Sequence, residues 1–591
     1  MISFRPLNGN AMGDLLQTLV RAASSSHGVR LIGAGDRVTF YPYRELLLRA
    51  RVAAGWLSEK GVREGCRVAI VLPTCVEFFD VFFGALICGA VPVPLYPPVR
   101  LGRLDEYHER TPEMLRACDA QLLVTERRIK RILGRTVERF RPRLGLAVVE
   151  AIARDGAPAE IEGALDPDGV AFIQFSSGTT AQPKPIRLTH RQILANVGAI
   201  TDAILTAYPE RDNFEHSGCS WLPLYHDMGL VGCVFVAMGR PRDLTLIPPE
   251  LFLADPAIWL RALSRHRGTI SPAPNFAYAL CADRVRDEDL DGVDLSRWVV
   301  AMNGAEPVTP RVLERFVERF GAYGLPKTSL TPVYGLGEAS LAVTFSSLDD
   351  EWRWRSFDRV ALAERGEAEL AEDGLELVSL GPALPGFEVR IRAEGGEGLP
   401  PGALGRVWIR GPSIMDGYEG LDDLNQRVFD GEWLDTGDRG FLLDGELYLF
   451  GRGKDTIVLN GRNYAPQDIE RVLDGMDGVR PGCYAAVGIL GADGERLTVI
   501  AESAVTAAEA RAALQKEVRA AVMARCGLVC SVELVEHGVL PRTSSGKISR
   551  TRARERLETA TLNTPRPVNA VTLVGELLRS ARGHFRSERR R

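Results

Sequence analysis

The chain has 591 residues, which is too long for a single hydrophobic core, so we expect two or more domains. Hydrophobic residues make up 45% and charged residues 25% of the chain, an ordinary composition for a globular protein. The net charge of -5 argues against a nucleic-acid partner, because nucleic-acid-binding proteins usually carry a basic excess.

The ten cysteines form no CxxC pair, and none lies beside a histidine at a spacing typical of zinc sites. We interpret them as small buried hydrophobic residues of a protein from a reducing compartment. The first residues, from Met1 to Leu19, contain Asn and Asp where a signal peptide needs an apolar run. These features predict a cytoplasmic protein.

The first predicted elements alternate between strand and helix. Strands are expected at Arg67–Leu72, Gln121–Thr125 and Val170–Phe175, and helices at Val76–Cys88 and at Thr189–Leu205, where the first Thr is a candidate cap. Such alternation predicts a parallel sheet that is covered on both faces.

An uncharged stretch from Val81 to Val99 is long enough for a membrane span. Its second half contains Pro92, Pro94, Pro97 and Pro98, which would break a spanning helix and leave backbone groups unpaired in lipid. We therefore expect a buried helix at Phe82–Cys88, then a short core strand, and no integral membrane segment.

The C-terminal part repeats the alternation on a smaller scale. Strands are expected at Tyr484–Leu490, Leu497–Ser503 and Ser531–Glu536, with an Ala-rich helix at Thr506–Arg525 between the last two. A domain boundary is expected near Gly451–Lys454. The basic residues at 566–591 predict a solvated, frayed terminus.

The first segment with chemical character follows the strand at Val170–Phe175 and reads Ser176-Ser-Gly-Thr-Thr-Ala-Gln-Pro-Lys-Pro185. Small hydroxyl residues and a glycine allow backbone N–H groups to converge on phosphate oxygens, and Lys184 adds a positive charge. The spacing is not that of a Walker loop. A polar surface turn is the alternative for this segment taken alone.

Three later segments add charged residues in Gly-rich surroundings: Tyr334-Gly-Leu-Gly-Glu338, Asp435-Thr-Gly-Asp438 and Pro541-Arg-Thr-Ser-Ser-Gly-Lys547. Glu338 is a candidate oxygen ligand for Mg²⁺. Asp438 is suited to accept hydrogen bonds from ribose hydroxyls. Lys547 lies on a loop that could deliver its ammonium from another domain. Each has a simpler explanation as a solvated charge or turn.

Taken together, the order and spacing of these segments resemble the adenylate-forming superfamily of acyl-CoA synthetases, luciferases and peptide-synthetase adenylation domains. The resemblance extends from about Leu15 to Arg554. It implies an α/β protein with a large multi-subdomain N-terminal adenylation domain, 1–451, and a small mobile α+β C-terminal domain, 455–565, followed by a basic tail, 566–591.

The resemblance also implies a role for each motif residue. ATP phosphates are bound by Ser176, Ser177, Gly178, Thr179, Thr180 and Lys184, and adenine is bracketed by Asn303, Gly304, Ala305, Glu306, Tyr334, Gly335 and Leu336. Asp438 and Arg452 bind the ribose, and Glu338 binds Mg²⁺. Lys547 contacts the reacting carboxylate and phosphate, His226 borders the acyl pocket, and Lys454 is the hinge between the two domains.

Finer features are similar to the fatty acyl-AMP ligases, notably Ser220-Trp-Leu-Pro-Leu-Tyr-His226-Asp-Met-Gly-Leu and an extra segment at about 351–377. This branch implies a fatty acid substrate, ATP with Mg²⁺, and transfer of the acyl group to an acyl carrier protein. The extra segment is thought to obstruct the use of CoA in such enzymes. Monomer and homodimer both stay open.

Two positions depart from the pattern of relatives, Ala181, which is a modest change, and Pro185. Relatives usually have Gly where this chain has Pro185, and proline removes a backbone N–H and restricts Lys184 to an extended conformation. Two alternatives therefore stay open beside the acyl-AMP ligase: an acyl-CoA synthetase, and a pseudoenzyme that binds an acyl chain or nucleotide without turnover.

Overall fold

The structure is a computed structural model that describes residues 13–98, 101–153, 156–175, 183–211, 214–459, 462–491, 494–543, 546–562 and 570–588. The predicted phosphate-binding residues Ser176–Thr180, and residues 181 and 182 after them, therefore lie outside the described residues. Every other residue predicted to belong to the site is described.

The α-helices occur along almost the whole described chain and are numbered in order. They are α1 (Leu15–Ala22), α2 (Tyr43–Glu59), α3 (Val76–Ile87), α4 (Leu104–Ala117), α5 (Arg127–Lys130), α6 (Gly134–Arg139), α7 (His190–Ala207), α8 (Asp227–Gly229), α9 (Val236–Gly239), α10 (Pro249–Ala254), α11 (Ala257–Arg265), α12 (Asn275–Arg284), α13 (Pro310–Gly321), α14 (Asp422–Val428), α15 (Pro466–Glu470), α16 (Ala508–Cys526), α17 (Arg550–Glu558) and α18 (Ala570–Glu588).

The strands are short in the first half of the chain and longer near its end. They are β1 (Gly28–Ile32), β2 (Val38–Pro42), β3 (Arg67–Val71), β4 (Val91–Pro94), β5 (Leu122–Thr125), β6 (Gly145–Val148), β7 (Val170–Phe175), β8 (Pro185–Thr189), β9 (Gly218–Ser220), β10 (Leu244–Leu246), β11 (Ile270–Ala273), β12 (Val300–Asn303), β13 (Leu330–Gly335), β14 (Ala342–Phe345), β15 (Trp354–Phe357), β16 (Leu375–Val378), β17 (Glu388–Arg392), β18 (Gly405–Arg410), β19 (Phe429–Asp430), β20 (Trp433–Leu443), β21 (Glu446–Arg452), β22 (Ile457–Leu459), β23 (Arg462–Tyr464), β24 (Val479–Gly491), β25 (Gly494–Ser503) and β26 (Ser531–Val535).

Two sheets organise the large N-terminal part. The larger has eight strands in the order β14-β13-β12-β11-β9-β10-β1-β2, parallel in its interior and antiparallel at both edges. The smaller has the order β4-β3-β5-β6 and is parallel throughout. The predicted α/β class and parallel sheets are thus confirmed.

Strand β7 is an exception to the predicted parallel arrangement. It pairs antiparallel with β8, with Phe175 opposite Pro185. The connection between these strands is too short for a helical crossover, which needs a dozen or more residues, so the chain must return antiparallel. The predicted phosphate-binding segment is this connection.

The predicted helices form where their sequences indicated. Helix α7 begins after Thr189, whose hydroxyl accepts a hydrogen bond from the Gln192 N–H while the Gln192 side chain bonds back to Thr189. Helix α3 and strand β4 occupy the uncharged stretch that precedes Val99. In the described part of the chain, no helix is both long and apolar enough to span a bilayer.

Two hydrophobic cores lie on opposite sides of the expected boundary, and a smaller cluster that packs Phe357 and Phe441 with Ala465 crosses it. One core includes residues from Leu15 to Leu447, and another is built from residues between Ile457 and Leu534. The sheet β24-β25-β26 and helix α16 form the second core, as the sequence predicted for a small C-terminal domain. The boundary near 451–455 stays a prediction, and the separate cores support it.

Residues 570–588 of the basic terminus are helical, so the prediction of a frayed terminus was wrong for this described part. Residues 570–588 form helix α18, which packs on α6 of the large N-terminal part. The Gly134 N–H donates to Ser580 Oγ at 2.8 Å, and a Cβ at Gly134 would lie 1.7 Å from the Ser580 carbonyl oxygen. Such close backbone approach depends on a glycine far away in the sequence, which composition could not reveal.

Candidate active site

A cavity of about 650 Å³ lies between the large N-terminal part and the small C-terminal part. Its lining includes these predicted site residues: Lys184, His226, Ala305, Gly335, Leu336, Glu338, Arg452, Lys454 and Lys547. Five others do not line it, namely Asn303, Gly304, Glu306, Tyr334 and Asp438. Residues separated by as many as 363 positions, from Lys184 to Lys547, thus converge on one space.

Glu338 follows strand β13 on a turn that presents its carboxylate to the cavity. Oε1 of Glu338 accepts a hydrogen bond of 2.8 Å from the hydroxyl of Tyr418. The Lys184 ammonium lies 5.2 Å from the centre of the Tyr418 ring. Burial lowers the pKa of Lys184, and the nearby carboxylate of Glu338 acts in the opposite direction. A cation and a carboxylate therefore share this wall.

Asp438 is held on strand β20 opposite Arg452 of β21, which is its register partner. Its Oδ2 accepts a hydrogen bond of 2.7 Å from the Tyr334 hydroxyl, and its Oδ1 lies 3.2 Å from Arg452 Nε. Asp438 is the main cause of a raised pKa for Arg452. The carboxylate is buried, and these contacts hold it between Tyr334 and Arg452.

The segment from Asn303 to Glu306 begins at the last residue of strand β12 and continues into the following turn. The Asn303 side chain is buried, and its Nδ2 donates to Asn275 Oδ1 at 3.0 Å. Asn303 Oδ1 is buried without a hydrogen-bond partner in the described part of the protein. Ala305 has a φ of 68°, an uncommon value for a residue with a side chain, and its carbonyl faces the cavity side.

Lys547 reaches the large N-terminal part from the small one. Its ammonium donates a hydrogen bond to the carbonyl oxygen of Ala305. Burial lowers the pKa of Lys547, whereas the carboxylates of Glu306 and Asp227 act to raise it. The loop is stabilised by the Thr543 N–H, which donates to the Lys547 carbonyl at 2.7 Å.

His226 and Asp227 form another charged edge of the cavity. His226 Nδ1 lies 2.5 Å from Asp227 Oδ1. Burial acts to raise the pKa of Asp227, but His226, the Met228 N–H and Lys547 together outweigh it, so the net shift is downward. An ionised Asp227 near Lys547 helps to hold that ammonium at the cavity.

Lys454 lies two residues after the end of strand β21, at the expected hinge. Burial lowers its pKa, and the positive charge of Arg452 acts in the same direction. Its side chain lines the same cavity as Lys547. The position is compatible with either a hinge residue or a phosphate contact.

Pro185 is the first residue of strand β8, a position where proline is tolerated in a sheet. Its carbonyl accepts a hydrogen bond of 2.8 Å from the Glu419 N–H. The carbonyl of Pro185 is therefore hydrogen-bonded in the fold, although its nitrogen has no hydrogen to donate.

The lining of the cavity also includes apolar side chains. Among them are Ile200, Met302, Leu341, Ala342 and Phe345. A second cavity of about 50 Å³ shares the lining residues Gly232 and Pro272 with the first. Apolar side chains of α7, of the turn at Leu230–Phe235 and of β11 surround this second cavity.

The extra segment at about 351–377 contacts the small C-terminal part at three points. Arg359 forms a bidentate ion pair with Asp468, with distances of 2.9 and 3.0 Å. Glu364 lies 2.7 Å from Arg462, and Arg471 donates to the carbonyl of Glu376 at 2.6 Å. Strands β15 and β16 pair antiparallel and anchor the segment on the large N-terminal part.

Sequence reasoning missed three residues of the site: Tyr418, Asp227 and Asn275. Tyr418 orients Glu338, Asp227 lies between His226 and Lys547, and Asn275 holds Asn303. Asp227 was adjacent to a predicted residue, and that adjacency was an available signal. No local pattern marks Tyr418, and no role was predicted for Asn275; their partners are 80 and 28 residues away.

Comparison with known proteins gives a consistent result. A model of the AMP-binding enzyme family matches residues 21–419. A protein of Caulobacter vibrioides, provisionally assigned as an acyl-CoA synthetase, is 34% identical over 551 residues, covering 91% of this chain and 94% of that protein. A long-chain-fatty-acid–AMP ligase of Mycolicibacterium smegmatis is 30% identical over 562 residues, covering 86% and 87%.

Among solved structures, one from a study of fatty acyl-adenylate ligases of E. coli and L. pneumophila is similar over nearly the whole chain. It has a TM-score of 0.86 and 31% sequence identity, and the match covers 93% of this chain and 98% of that one. The similarity therefore includes both the large N-terminal part and the small C-terminal part.

Proposed function

Because this chain belongs to the AMP-binding enzyme family and is a ligase of the adenylate-forming type, we propose that it activates a fatty acid as acyl-AMP and then acylates a carrier protein. One observation carries the proposal. The Lys547 ammonium, the Glu338 carboxylate and the cations Lys184 and Arg452 all line a single cavity whose lining also includes apolar side chains.

In the first step, a carboxylate oxygen of the fatty acid attacks the α-phosphorus of ATP. A new P–O bond forms, the bond to the bridging oxygen of the β-phosphate breaks, and pyrophosphate leaves. The reactants are anions, so the protein must chiefly position them and neutralise charge. Lys547 is the proposed group between the carboxylate and the α-phosphate, where preorganised positive charge is most effective.

The remaining polar residues are assigned by their places around this reaction. Ser176–Thr180 and Lys184 are proposed to hold the outer phosphates, and Asp438 with Arg452 the ribose. The 303–306 segment and the 334–336 segment are proposed to bracket adenine. Support comes from the ionic Asp438–Arg452 pair and from the unpartnered Asn303 oxygen.

Glu338 is the proposed protein ligand of Mg²⁺. Tyr418 occupies only one lone pair of its Oε1, which leaves Oε2 available to a cation. Mg²⁺ is commonly bound by one or two carboxylates together with substrate phosphates, and this arrangement fits a single Glu beside a phosphate-binding lysine. The bound ion would neutralise phosphate charge in the first step.

The apolar part of the cavity lining is the proposed site of the acyl chain, and His226 is proposed to border it. The lining includes aliphatic and aromatic side chains, as burial of a hydrocarbon chain requires. The second, smaller cavity would extend this space for longer chains.

The extra segment supports a carrier protein as acceptor. Its three contacts with residues 462–471 hold the small C-terminal part against the large one. In the second step, a thiol attacks the acyl carbonyl, loses its proton, and AMP leaves. A restrained small domain would limit the domain movement that opens a binding site for CoA. The phosphopantetheine arm of a carrier protein could still reach the acyl-AMP through a narrower channel.

Acid-dependent ATP–pyrophosphate exchange across a series of fatty acids tests the first step. Exchange should require the acid, and Lys547→Ala should lower it by about 10²–10³, the effect of removing one preorganised charge stabiliser in comparable sites. Lys516→Ala, an exposed lysine of α16, is the matched control and should retain full exchange. Absence of exchange with every chain length would favour the pseudoenzyme, the alternative raised by Pro185.

A thioester assay with two acceptors tests the second step. The protein should acylate a phosphopantetheinylated carrier protein and give little acyl-CoA. Efficient acyl-CoA production would instead favour the acyl-CoA synthetase, the alternative that the Caulobacter relative supports.

A further inference from the structure

Helix α18 is attached to the large N-terminal part by one well-defined face. Glu576, Ser580 and Gly583 lie on this face and are buried. His108 Nε2 lies 3.1 Å from Glu576 Oε1, and His584 Nε2 donates to the Lys130 carbonyl at 2.7 Å. These contacts determine which side of the helix faces solvent.

The solvent side of α18 carries large apolar residues. Leu573, Val574 and Leu578 are exposed by 37%, 54% and 58%. At 100° per residue, Val574 and Leu578 lie opposite the buried Glu576 face. Phe585 is on the same side and 54% exposed. Exposed apolar side chains that recur on one side of a helix usually mark an interaction surface.

The apolar side is surrounded by positive charge. Segments 127–143 and 570–588 together contain eleven Arg or Lys residues and three Glu, although the whole chain has a net charge of -5. Within the described residues, these exposed arginines form no ion pair: Arg127, Arg128, Arg131 and Arg582. Others are paired, as Arg579 is with Glu576 and Arg586 with Glu138.

We propose that α18 and the adjoining α5–α6 segment form a surface that binds anionic lipid bilayers, with α18 lying flat in the interface. A helix with an apolar side flanked by arginines binds at the boundary of headgroups and acyl chains. Each basic residue near an anionic surface adds attraction, and arginine stems can extend so that the charge reaches the headgroups.

A bilayer fits these observations better than an acidic protein partner that delivers a thiol. No residue of α18, α5 or α6 lines the main cavity. The charge excess is spread over two segments, as a broad anionic surface requires. The proposal goes beyond the acyl-AMP ligase function and does not depend on it, because lipid binding is measured without ATP or fatty acid.

Flotation of the full-length protein with vesicles tests the proposal. One vesicle set contains phosphatidylcholine alone, and the other contains phosphatidylcholine with phosphatidylglycerol. The protein should bind the anionic set at low salt, bind the neutral set at least tenfold more weakly, and dissociate as salt is raised.

Paired variants separate the two contributions. Val574→Ser with Leu578→Ser, and separately Arg128→Glu with Arg582→Glu, should each weaken binding at least tenfold. The matched controls are Val529→Ser, at a site 79% exposed, and Lys516→Glu with Arg519→Glu on α16; both should bind as the unaltered protein does. Thermal melting verifies that each variant is folded.

Three results would overturn the proposal: no binding to anionic vesicles at low salt, equal binding by the variants and the unaltered protein, or loss of binding in the controls as well. Binding of an acidic carrier protein at this surface, with no vesicle binding, would also reject it. Loss of ATP–pyrophosphate exchange with intact vesicle binding would concern only the proposed ligase function.

Discussion

Gly232 lies in the wall shared by the main cavity and the small apolar cavity, so its replacement tests the proposed path of the acyl chain. A Cβ at this position would lie 2.7 Å from Leu341 Cδ2. That atom is the end of a flexible side chain that can move, so Gly232→Leu should fold and fill the junction between the two cavities. We expect the protein to retain short acids and lose long ones.

The magnitude follows from the transfer of hydrocarbon out of water. Each excluded methylene should cost ~0.8 kcal/mol of binding, which is about fourfold in kcat/KM. An acid that loses four methylene contacts should therefore be used about 200-fold less well. The assay is ATP–pyrophosphate exchange with acids of increasing length, and the informative quantity is the slope of kcat/KM with chain length.

The control is Gly198→Leu in helix α7, because a Cβ there has no neighbour within 4 Å and Gly198 lines neither cavity. This variant should keep the original chain-length profile. An equal loss at all chain lengths with Gly232→Leu would show a general defect instead of a blocked path. An unchanged profile would refute the assignment of the apolar cavities to the acyl chain.

Three further predictions concern separate parts of the molecule. Arg359→Ala removes the bidentate ion pair with the small domain and should raise acyl-CoA formation relative to carrier acylation in the thioester assay. Tyr418→Phe removes the hydrogen bond that orients Glu338 and should raise the Mg²⁺ concentration needed for exchange by about 10–100-fold. Buried His190 accepts a hydrogen bond from the Leu15 N–H, and burial lowers its pKa from 6.5 to about 4. The unfolded state therefore binds more protons than the folded state between these two pH values. The free energy of unfolding should fall with decreasing pH by up to ~1.4 kcal/mol per pH unit. In denaturant titrations, the non-titrating variant His190→Asn should show a flatter pH dependence.

Each of these has a result that would contradict it. An unchanged acceptor preference in Arg359→Ala would show that this contact of the extra segment does not determine whether CoA or the carrier protein is acylated. An unchanged Mg²⁺ requirement in Tyr418→Phe would argue against Glu338 as the metal ligand. A pH slope equal to that of the unaltered protein in His190→Asn would assign the acid sensitivity to other groups.

Local signals in the sequence were sufficient to predict several helices and strands and several candidate site residues. The capping box at Thr189 needs only residues three apart, so the start of α7 was readable directly. The prolines after Val91 excluded a membrane helix for the same local reason. Glu338 and Lys547 were candidates from their Gly-containing segments, and Arg452 from the family resemblance; all three line the cavity, and their roles stay predictions.

Only the tertiary structure decided how distant segments combine. The antiparallel return of β8, the docking of α18 through Gly134, and the partners Tyr418 for Glu338 and Asp227 for Lys547 depend on residues far apart in the chain. A contact of this kind is stabilised by burial and by hydrogen-bond geometry, which exist only after the chain has folded. Local propensity carries no information about either. The sequence therefore predicted the chemical groups of the site, and only the fold determined which residues contact them.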